Sequence, residues 1–279
     1  MYLPRVIPGL ACVLLTVSMP AMADDHPMLD NASITVGMFA NNFSGSIRAD
    51  GNTKNSGTRL DFSRDLGEGG TQWLPYIAAS WRPWDRHEFE LSYYHFEVSH
   101  DKTLDRDLVF NNQTLEVGTD LHSKTTVDAI NLTYRYWAWI GDQAAFGVTG
   151  GLQNYSFDLK LSGTAFASGP NGTNSGSRSA TAKASTDLPN PSIGVAYRWQ
   201  MAPWARLVVD AGAFKANIGN VDATLYNARL GAEFYPFGNW AIVPQFMFNR
   251  INADVTGSRF NGNATFRFRG GQLLVKYRF

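Results

Sequence analysis

The sequence predicts an all-β fold: a single antiparallel up-and-down transmembrane β-barrel, with ten strands favoured and eight or twelve left open. Three observations predict it. The last ten residues alternate small or apolar residues with mostly polar ones and end on Phe279. The chain has 18 Phe, 11 Tyr, 8 Trp and 26 Gly, yet no run reaches the roughly 20 apolar residues of a membrane helix. Short turns alternate with long polar segments.

The first residues are typical of a secretory leader. A charged residue precedes an apolar run over 6–17, which is followed by an Ala-x-Ala site at 21–23. The run is shorter than the roughly 20 residues that span a bilayer, which disfavours a membrane anchor. We therefore expect a cleaved signal peptide at 1–23 and one barrel domain at 24–279.

Composition excludes several function classes. The single cysteine, Cys12, lies in the leader, so the mature chain offers no disulfide, thiol catalyst or cysteine-ligated metal. The 24 basic residues balance the 24 acidic ones, and removal of the leader with Arg5 leaves a net charge of 23 − 24, or −1. No basic surface is implied, and we expect no nucleic-acid partner.

Four short turns next to aromatic residues define one end of the barrel. They lie at 82–86, 140–143, 200–203 and 236–239. Barrels of this class have short periplasmic turns and long extracellular loops, so both chain ends should be periplasmic and the strand number even. Counting back from the carboxy-terminus predicts strands at 32–47, 72–83, 87–100, 124–139, 144–161, 187–200, 204–216, 223–236, 240–253 and 264–279.

The segments between these strands should be extracellular loops. They lie at 48–72, 100–124, 162–188, 216–223 and 253–264. Residues 167–187 have almost no apolar side chains, which predicts a mobile loop. Three stretches inside the loops have strand character and are interpreted as hairpin extensions: Thr58–Asp65, Asp107–Phe110 and Thr114–Val117.

Alternation along the strands predicts which side chains face lipid. Phe89, Leu91 and Tyr93 share one face, opposite Glu88 and Glu90. A soluble sandwich alternates in the same way, but the leader, the terminal Phe and the turn-side tryptophans favour a membrane barrel. Those tryptophans are Trp81, Trp84, Trp137, Trp139, Trp199, Trp204 and Trp240.

The opposite face predicts a charged lumen of mixed sign. Charges inside a narrow barrel must pair or stay hydrated, because isolated burial costs several kcal/mol. Two interpretations remain open: a structural plug of ion pairs, and a constricted pore with weak anion preference. The predicted lumen charges are Arg82, Glu88, Glu90, Arg135, Arg198, Arg206, Asp210, Arg229, Glu233, Lys276 and Arg278.

An enzyme is not expected. Ser99-His100-Asp101 contains the residue types of a nucleophilic triad, but neighbours on a strand point to opposite faces. Pairing of Ser99 or His100 with His122 and Ser123 across strands is possible. No Gly-x-Ser-x-Gly or His-Glu-x-x-His motif occurs, no ligand spacing predicts a metal site, and no cofactor is predicted.

The leader, the alternating strands and the terminal Tyr277-Arg278-Phe279 resemble those of a Gram-negative outer-membrane barrel. Small barrels grouped with the OmpA transmembrane domain and OmpW, and above all an uncharacterised proteobacterial set, resemble this chain in four stretches: Gly57–Gly67, Trp81–His87, Leu91–Tyr94 and Leu104–Asp107. The resemblance implies residence in the outer membrane, with Tyr277 and Phe279 as the signal for the barrel-assembly machinery. It also implies contact with outer-membrane lipid and lipopolysaccharide.

Three functions follow as expectations. The first is a non-enzymatic barrel, either a narrow passive channel for small solutes or a structural barrel with a charged lumen. The OmpW resemblance would add passage of small, partly apolar solutes through a side opening. The second is surface adhesion or recognition through the extracellular loops. The third is a lipid-modifying outer-membrane enzyme.

Overall fold

The computed structural model describes residues 27–51, 57–67, 70–105, 107–110, 113–115, 118, 120–168, 174–218, 221–256 and 261–279. The expected signal peptide at 1–23 lies outside these residues. In the part of the chain that is described, no helix is long and apolar enough to cross a membrane.

Strands make up most of the described chain. They are β1 (Ala32–Gly51), β2 (Leu60–Asp61), β3 (Thr71–Trp84), β4 (His87–Thr103), β5 (Leu108–Phe110), β6 (Gln113–Leu115), β7 (Asp120–Ile140), β8 (Ala144–Ser168), β9 (Asn174–Ala202), β10 (Ala205–Ile218), β11 (Val221–Phe237), β12 (Trp240–Thr256) and β13 (Asn261–Arg278).

The main sheet has eleven antiparallel strands in the described residues, and ten long ones form a ring. Successive long strands pair with each other, and β13 pairs back onto β1 from Ser33–Arg278 to Gly51–Asn261. The eleventh strand, β2, only adds two residues to the side of β1. Closure removes the open edges that a flat sheet would expose, so the ten-stranded barrel predicted from the sequence is confirmed.

The ten predicted strands are all present, but several extend further at the loop end. β8 and β9 pair without a break up to Phe166–Ser177 and, after a register shift, again at Ser168–Asn174. The loop predicted over 162–188 is therefore wrong for its described residues. The absence of apolar side chains does not prevent this, because the two backbones satisfy each other's hydrogen bonds. Residues 169–173 lie outside the described chain.

The short strand stretches behave in two ways. Thr58–Asp65 contains β2 and then turns at Phe62, whose amide donates to the Gly45 carbonyl. β5 and β6 pair with each other as a separate hairpin rather than extending the ring.

The predicted lipid-facing row is on the outside of the barrel. Leu273 is 62% exposed, and Val275 and Phe279 are also exposed. One turn-side tryptophan is an exception: Trp137 is fully buried in the lumen, whereas Trp139 is 53% exposed. Trp137 is two residues after the inward Arg135 and shares its face, which corrects the placement of Trp137 in the membrane-facing girdle. A bulge between Trp137 and Trp139 then turns Trp139 outward.

Candidate functional site

The charges predicted for the lumen meet in its periplasmic half, and Arg135 is central to them. Its side chain is 2% exposed. One guanidinium nitrogen donates to Glu88 Oε1 at 2.7 Å and another to Glu90 Oε2 at 3.0 Å. Arg135 and Glu88 are directly opposite in the register of β7 and β4, so strand pairing alone brings this pair together.

Asp210 extends this network to the opposite wall. Arg198 donates to Asp210 Oδ1 at 3.1 Å, and Arg229 Nε donates to Asp210 Oδ2 at 2.7 Å. Arg229 also reaches Glu90 Oε1 at 3.1 Å. Since β11 and β4 are not neighbours in the sheet, these bonds run across the lumen. A cavity of about 60 Å³ remains beside them, lined by charged residues that include Glu88, Arg229 and Glu233.

A second cluster lies beside the periplasmic mouth. Arg206 and Glu233 are directly opposite on β10 and β11, with 3.0 Å between Nη1 and Oε2. Lys276 donates to Glu233 Oε1 at 2.8 Å. Both cations also contact the Asp30 carboxylate, which the sequence reasoning missed.

Asp30 belongs to a short segment, residues 27–31, that precedes β1 and docks into the mouth. Met28 and Leu29 are buried in it, and Arg82 donates to the Asp30 carbonyl at 3.3 Å and to Asn31 Oδ1 at 2.7 Å. Burial would raise the pKa of Asp30, but the charges of Arg206 and Lys276 outweigh it and hold that pKa below its ordinary value. The segment therefore closes the barrel from the periplasmic side.

We expect Asp30→Asn to weaken docking of this segment by about 1.5–3 kcal/mol, since the hydrogen bonds lost are to charged groups. Because the folded pKa lies below the unfolded one, this stabilisation is present above about pH 4 and is lost as the pH falls through the folded pKa. Hydrogen exchange at residues 28–31 should rise in the variant at neutral pH, and in the wild type only under strongly acidic conditions. Asp142→Asn, in an exposed turn, is the matched control.

One predicted lumen residue, Arg278, packs on an aromatic ring, and one unpredicted residue, Trp137, joins the network. Arg278 lies over the Tyr235 ring, with 4.3 Å between guanidinium carbon and ring centroid. The Tyr235 hydroxyl donates to Glu233 Oε2 at 2.7 Å, so Arg278 borders the network through this ring. The buried Trp137 joins it too, by donating from Nε1 to Glu88 Oε2 at 3.0 Å.

The extracellular half of the lumen is apolar, which the expectation of a charged lumen missed. Phe43 is central, with ring centroids of Phe62 and Phe268 at 5.2 Å and of Phe96 at 5.1 Å. Phe62 belongs to the turn after β2, which therefore folds into the barrel. We name this aromatic set the aromatic plug: Phe39, Phe43, Phe62, Tyr94, Phe96, Tyr155, Phe157, Phe266 and Phe268.

A polar cavity of about 100 Å³ lies between the network and the aromatic plug. Its lining joins Glu90, Arg135 and Asp210 of the network to Tyr94 and Tyr155 of the aromatic plug. A single water molecule needs about 10–15 Å³ of such space, so the cavity has room for several. The lumen thus has three layers, ionic, polar and aromatic.

The triad-like residues on β4 do not gather into a nucleophilic site among the described residues. His122 Nδ1 bonds to Asp101 Oδ1 at 2.6 Å, on the outer face. The Ser123 hydroxyl donates to the His100 carbonyl at 3.3 Å rather than to an imidazole. Ser99 is opposite Lys124 in the register.

No protein-family model and no curated protein matches the sequence. Solved barrels do match the fold. The outer-membrane protease OmpT of Escherichia coli has a TM-score of 0.53 and 12% identity over 90% of this chain and 97% of its own. The translocator domain of the autotransporter NalP of Neisseria meningitidis has a TM-score of 0.48 and 14% identity over 91% and 90%. The toluene transporter TodX of P. putida has a TM-score of 0.35 and 8% identity over 90% and 91%.

The chain has the fold of an outer-membrane β-barrel. At these identities the likeness extends to the fold and leaves activity open. In this fold the short turns mark the periplasmic end of the barrel, and the aromatic plug lies in the opposite half.

Proposed function

We propose that this protein is a closed, non-enzymatic barrel whose filled lumen stabilises it rather than conducts solutes. The observation that carries the proposal is that the ionic network and the aromatic plug obstruct the same lumen at two successive levels. Arg135 is 2% exposed in the ionic layer, and Phe43 is equally inaccessible in the aromatic plug. A solute would have to displace both.

The ionic layer gives the stronger barrier. Separating a buried ion pair leaves a desolvated charge and costs about 3–5 kcal/mol. Arg135 and Asp210 each hold several partners, so opening a path means breaking several such contacts together. This supports the structural plug over an anion-selective pore, and over the side opening that the OmpW resemblance implies.

We expect the refolded mature protein to give no steady single-channel currents in planar bilayers. The physical reason is that the ionic network and the aromatic plug both remain in the lumen when no ligand is present to displace them. A general porin, inserted in the same bilayers, provides the positive control. Reproducible open-channel steps that scale with the number of inserted barrels would contradict the proposal, and their ion selectivity would then test the anion preference.

We propose that the barrel is not an enzyme, and His122 on its outer face provides a test of this. OmpT is a protease by its description, but likeness of fold alone does not transfer that activity. If the barrel modified lipids, Ser99→Ala or His122→Ala would change the lipid A or phospholipid profile of the producing cells. We expect both variants to leave these profiles unchanged, with cells lacking the barrel as the reference.

A second candidate function is recognition by the extracellular part of the wall. A transmembrane strand needs about 9–11 residues, yet β8 has 25 and β9 has 29. Polar pairs such as Lys124–Glu97, at 2.7 Å, cover the outer face beyond the apolar belt. Cells that display a barrel shortened at the Gly163–Ala180 pair should bind matrix proteins or phages less well than wild-type cells, while β8 and β9 remain paired below the cut.

Two finer sequence-based assignments belong to the proposal as well. One is membership of the group of OmpA-like and OmpW-like small barrels. The other is the role of Tyr277 and Phe279 as the assembly signal, which the outward, exposed position of Phe279 supports. Phe279→Ala should then reduce the yield of folded barrel in the outer membrane without changing the lumen.

A further inference from the structure

Three arginines form a cluster on the outer wall, on the side where β12, β13 and β1 meet. Arg250 and Arg267 are directly opposite in the register of β12 and β13. Arg269 is two residues along β13 from Arg267 and shares its face. We name Arg250, Arg267 and Arg269 the outer arginine cluster.

These arginines lack the carboxylate partners that the lumen arginines have. Among the described residues Arg267 and Arg269 form no hydrogen bond or ion pair, and Arg250 makes one long bond of 3.4 Å to Asn252 Oδ1. Like charges directly opposite each other on a sheet destabilise it. An anion held between these side chains would remove that repulsion.

The neighbouring residues add donors on the same wall. Ser44 is opposite Arg267 on β1, and the Arg59 guanidinium lies over Ser46, with 2.9 Å between Nε and Oγ. Two acids lie farther along this wall. Asp254 is exposed four residues beyond Arg250 on β12, and Asp61 is opposite Ser46, with its carboxylate accepting a hydrogen bond from the Arg64 amide at 2.9 Å. The cluster itself is therefore a surface of cations and hydroxyls.

The level of the cluster matches the outer boundary of the membrane. On β12 the outward residues are aromatic or apolar from Trp240 to Phe248, and Arg250 follows directly. Ten residues at about 3.3 Å each, on a strand tilted by about 40°, give a height of about 25 Å between Trp240 and Arg250. This equals the apolar band of outer-membrane barrels.

We propose that the outer arginine cluster binds the phosphate groups of lipid A in lipopolysaccharide. Phosphorylated lipid headgroups lie at this level, and guanidinium groups bind phosphate through paired, charge-assisted hydrogen bonds. The apolar row between Trp240 and Phe248 offers the acyl chains a surface directly below. The site is on the outside of the barrel, so it is independent of whether the lumen conducts.

The test uses the full mature barrel in neutral detergent micelles, titrated with bisphosphorylated lipid A and followed by tryptophan fluorescence. R250Q/R267Q/R269Q should bind about a hundredfold more weakly than wild type, as expected for three lost cations near an anionic surface. Lys124, Lys160 and Lys215 face outward on other strands of the barrel, β7, β8 and β10. K124Q/K160Q/K215Q removes the same charge and should bind like wild type.

Each outcome is decisive. Unchanged affinity in the arginine variant, or an equal loss in the lysine variant, would overturn the site. Monophosphoryl lipid A should bind wild type more weakly than the bisphosphorylated form. Equal binding of phosphatidylglycerol would overturn the assignment to lipid A. Heat-dependent gel migration verifies that each variant is folded, and the single variants R267Q and R269Q replace the triple one if it is not.

Discussion

Replacing Arg135 with alanine should lower the free energy of unfolding of the barrel by about 3–5 kcal/mol. The change removes the cation that lies between Glu88 and Glu90, at 2.7 and 3.0 Å, and leaves both carboxylates buried. Arg229 and Arg198 still face Asp210, so the rest of the network remains but with an excess of buried negative charge on β4. Urea unfolding in phosphatidylcholine vesicles, followed by tryptophan fluorescence, measures the loss.

Two further variants separate the buried charge from general effects of arginine removal. Arg269→Ala changes an exposed arginine on the outer wall. It should leave the free energy of unfolding within about 0.5 kcal/mol of wild type. Arg135→Ala combined with Glu88→Gln should cost less than the sum of the single changes, because the two groups are in direct contact. An additive double variant, or an unchanged Arg135→Ala midpoint, would show that the network does not stabilise the barrel.

Replacing Phe43 with alanine should cost about 3–5 kcal/mol as well, through a cavity in the aromatic plug. Its ring lies 5.1–5.2 Å from the rings of Phe62, Phe96 and Phe268, and the closed wall around them limits collapse into the space. The same unfolding measurement applies. Protease cleavage within 57–67 should also increase, because Phe62 anchors that turn inside the lumen.

The matched control for this prediction is Phe246→Ala. Phe246 is 50% exposed on the lipid side, so its removal leaves no internal cavity and should cost clearly less. Phe43→Leu should fall between Phe43→Ala and wild type, since it keeps most of the apolar volume. Equal losses for Phe43→Ala and Phe246→Ala would indicate that the aromatic plug is not a packed core.

The wall and its nearest ion pairs were predictable from the sequence because both depend on local periodicity. A strand has a period of two, so alternation assigns Glu88 and Arg135 to the inside, and antiparallel pairing places them opposite each other. Asp30 gave no such signal. Its partners are Arg206, which is 176 residues away, and Lys276, near the carboxy-terminus. No pattern within a strand encodes contacts between residues so far apart in the sequence.

The residues of the aromatic plug are visible in the sequence, but alternation alone does not assign them to the lumen. On β4, Tyr93 faces outward while Tyr94 and Phe96 face inward, so both faces are aromatic. Treating any apolar side chain as lipid-facing conceals the inward set. Trp139 is a different case. Plain alternation would place it inside, and the bulge that turns it outward depends on how β7 and β8 pair and not on residue types within one strand.

The docked segment at 27–31, which precedes β1, contacts the last strand of the barrel. Asp30 contacts Lys276 on the last strand, and β13 itself closes the ring onto β1. This contact can form only after the last strand has paired, so docking of the segment at 27–31 marks a completely assembled barrel. The Phe279 amide donates to the Ala32 carbonyl at 2.9 Å, so the exposed ring of Phe279 stands next to the end of this segment.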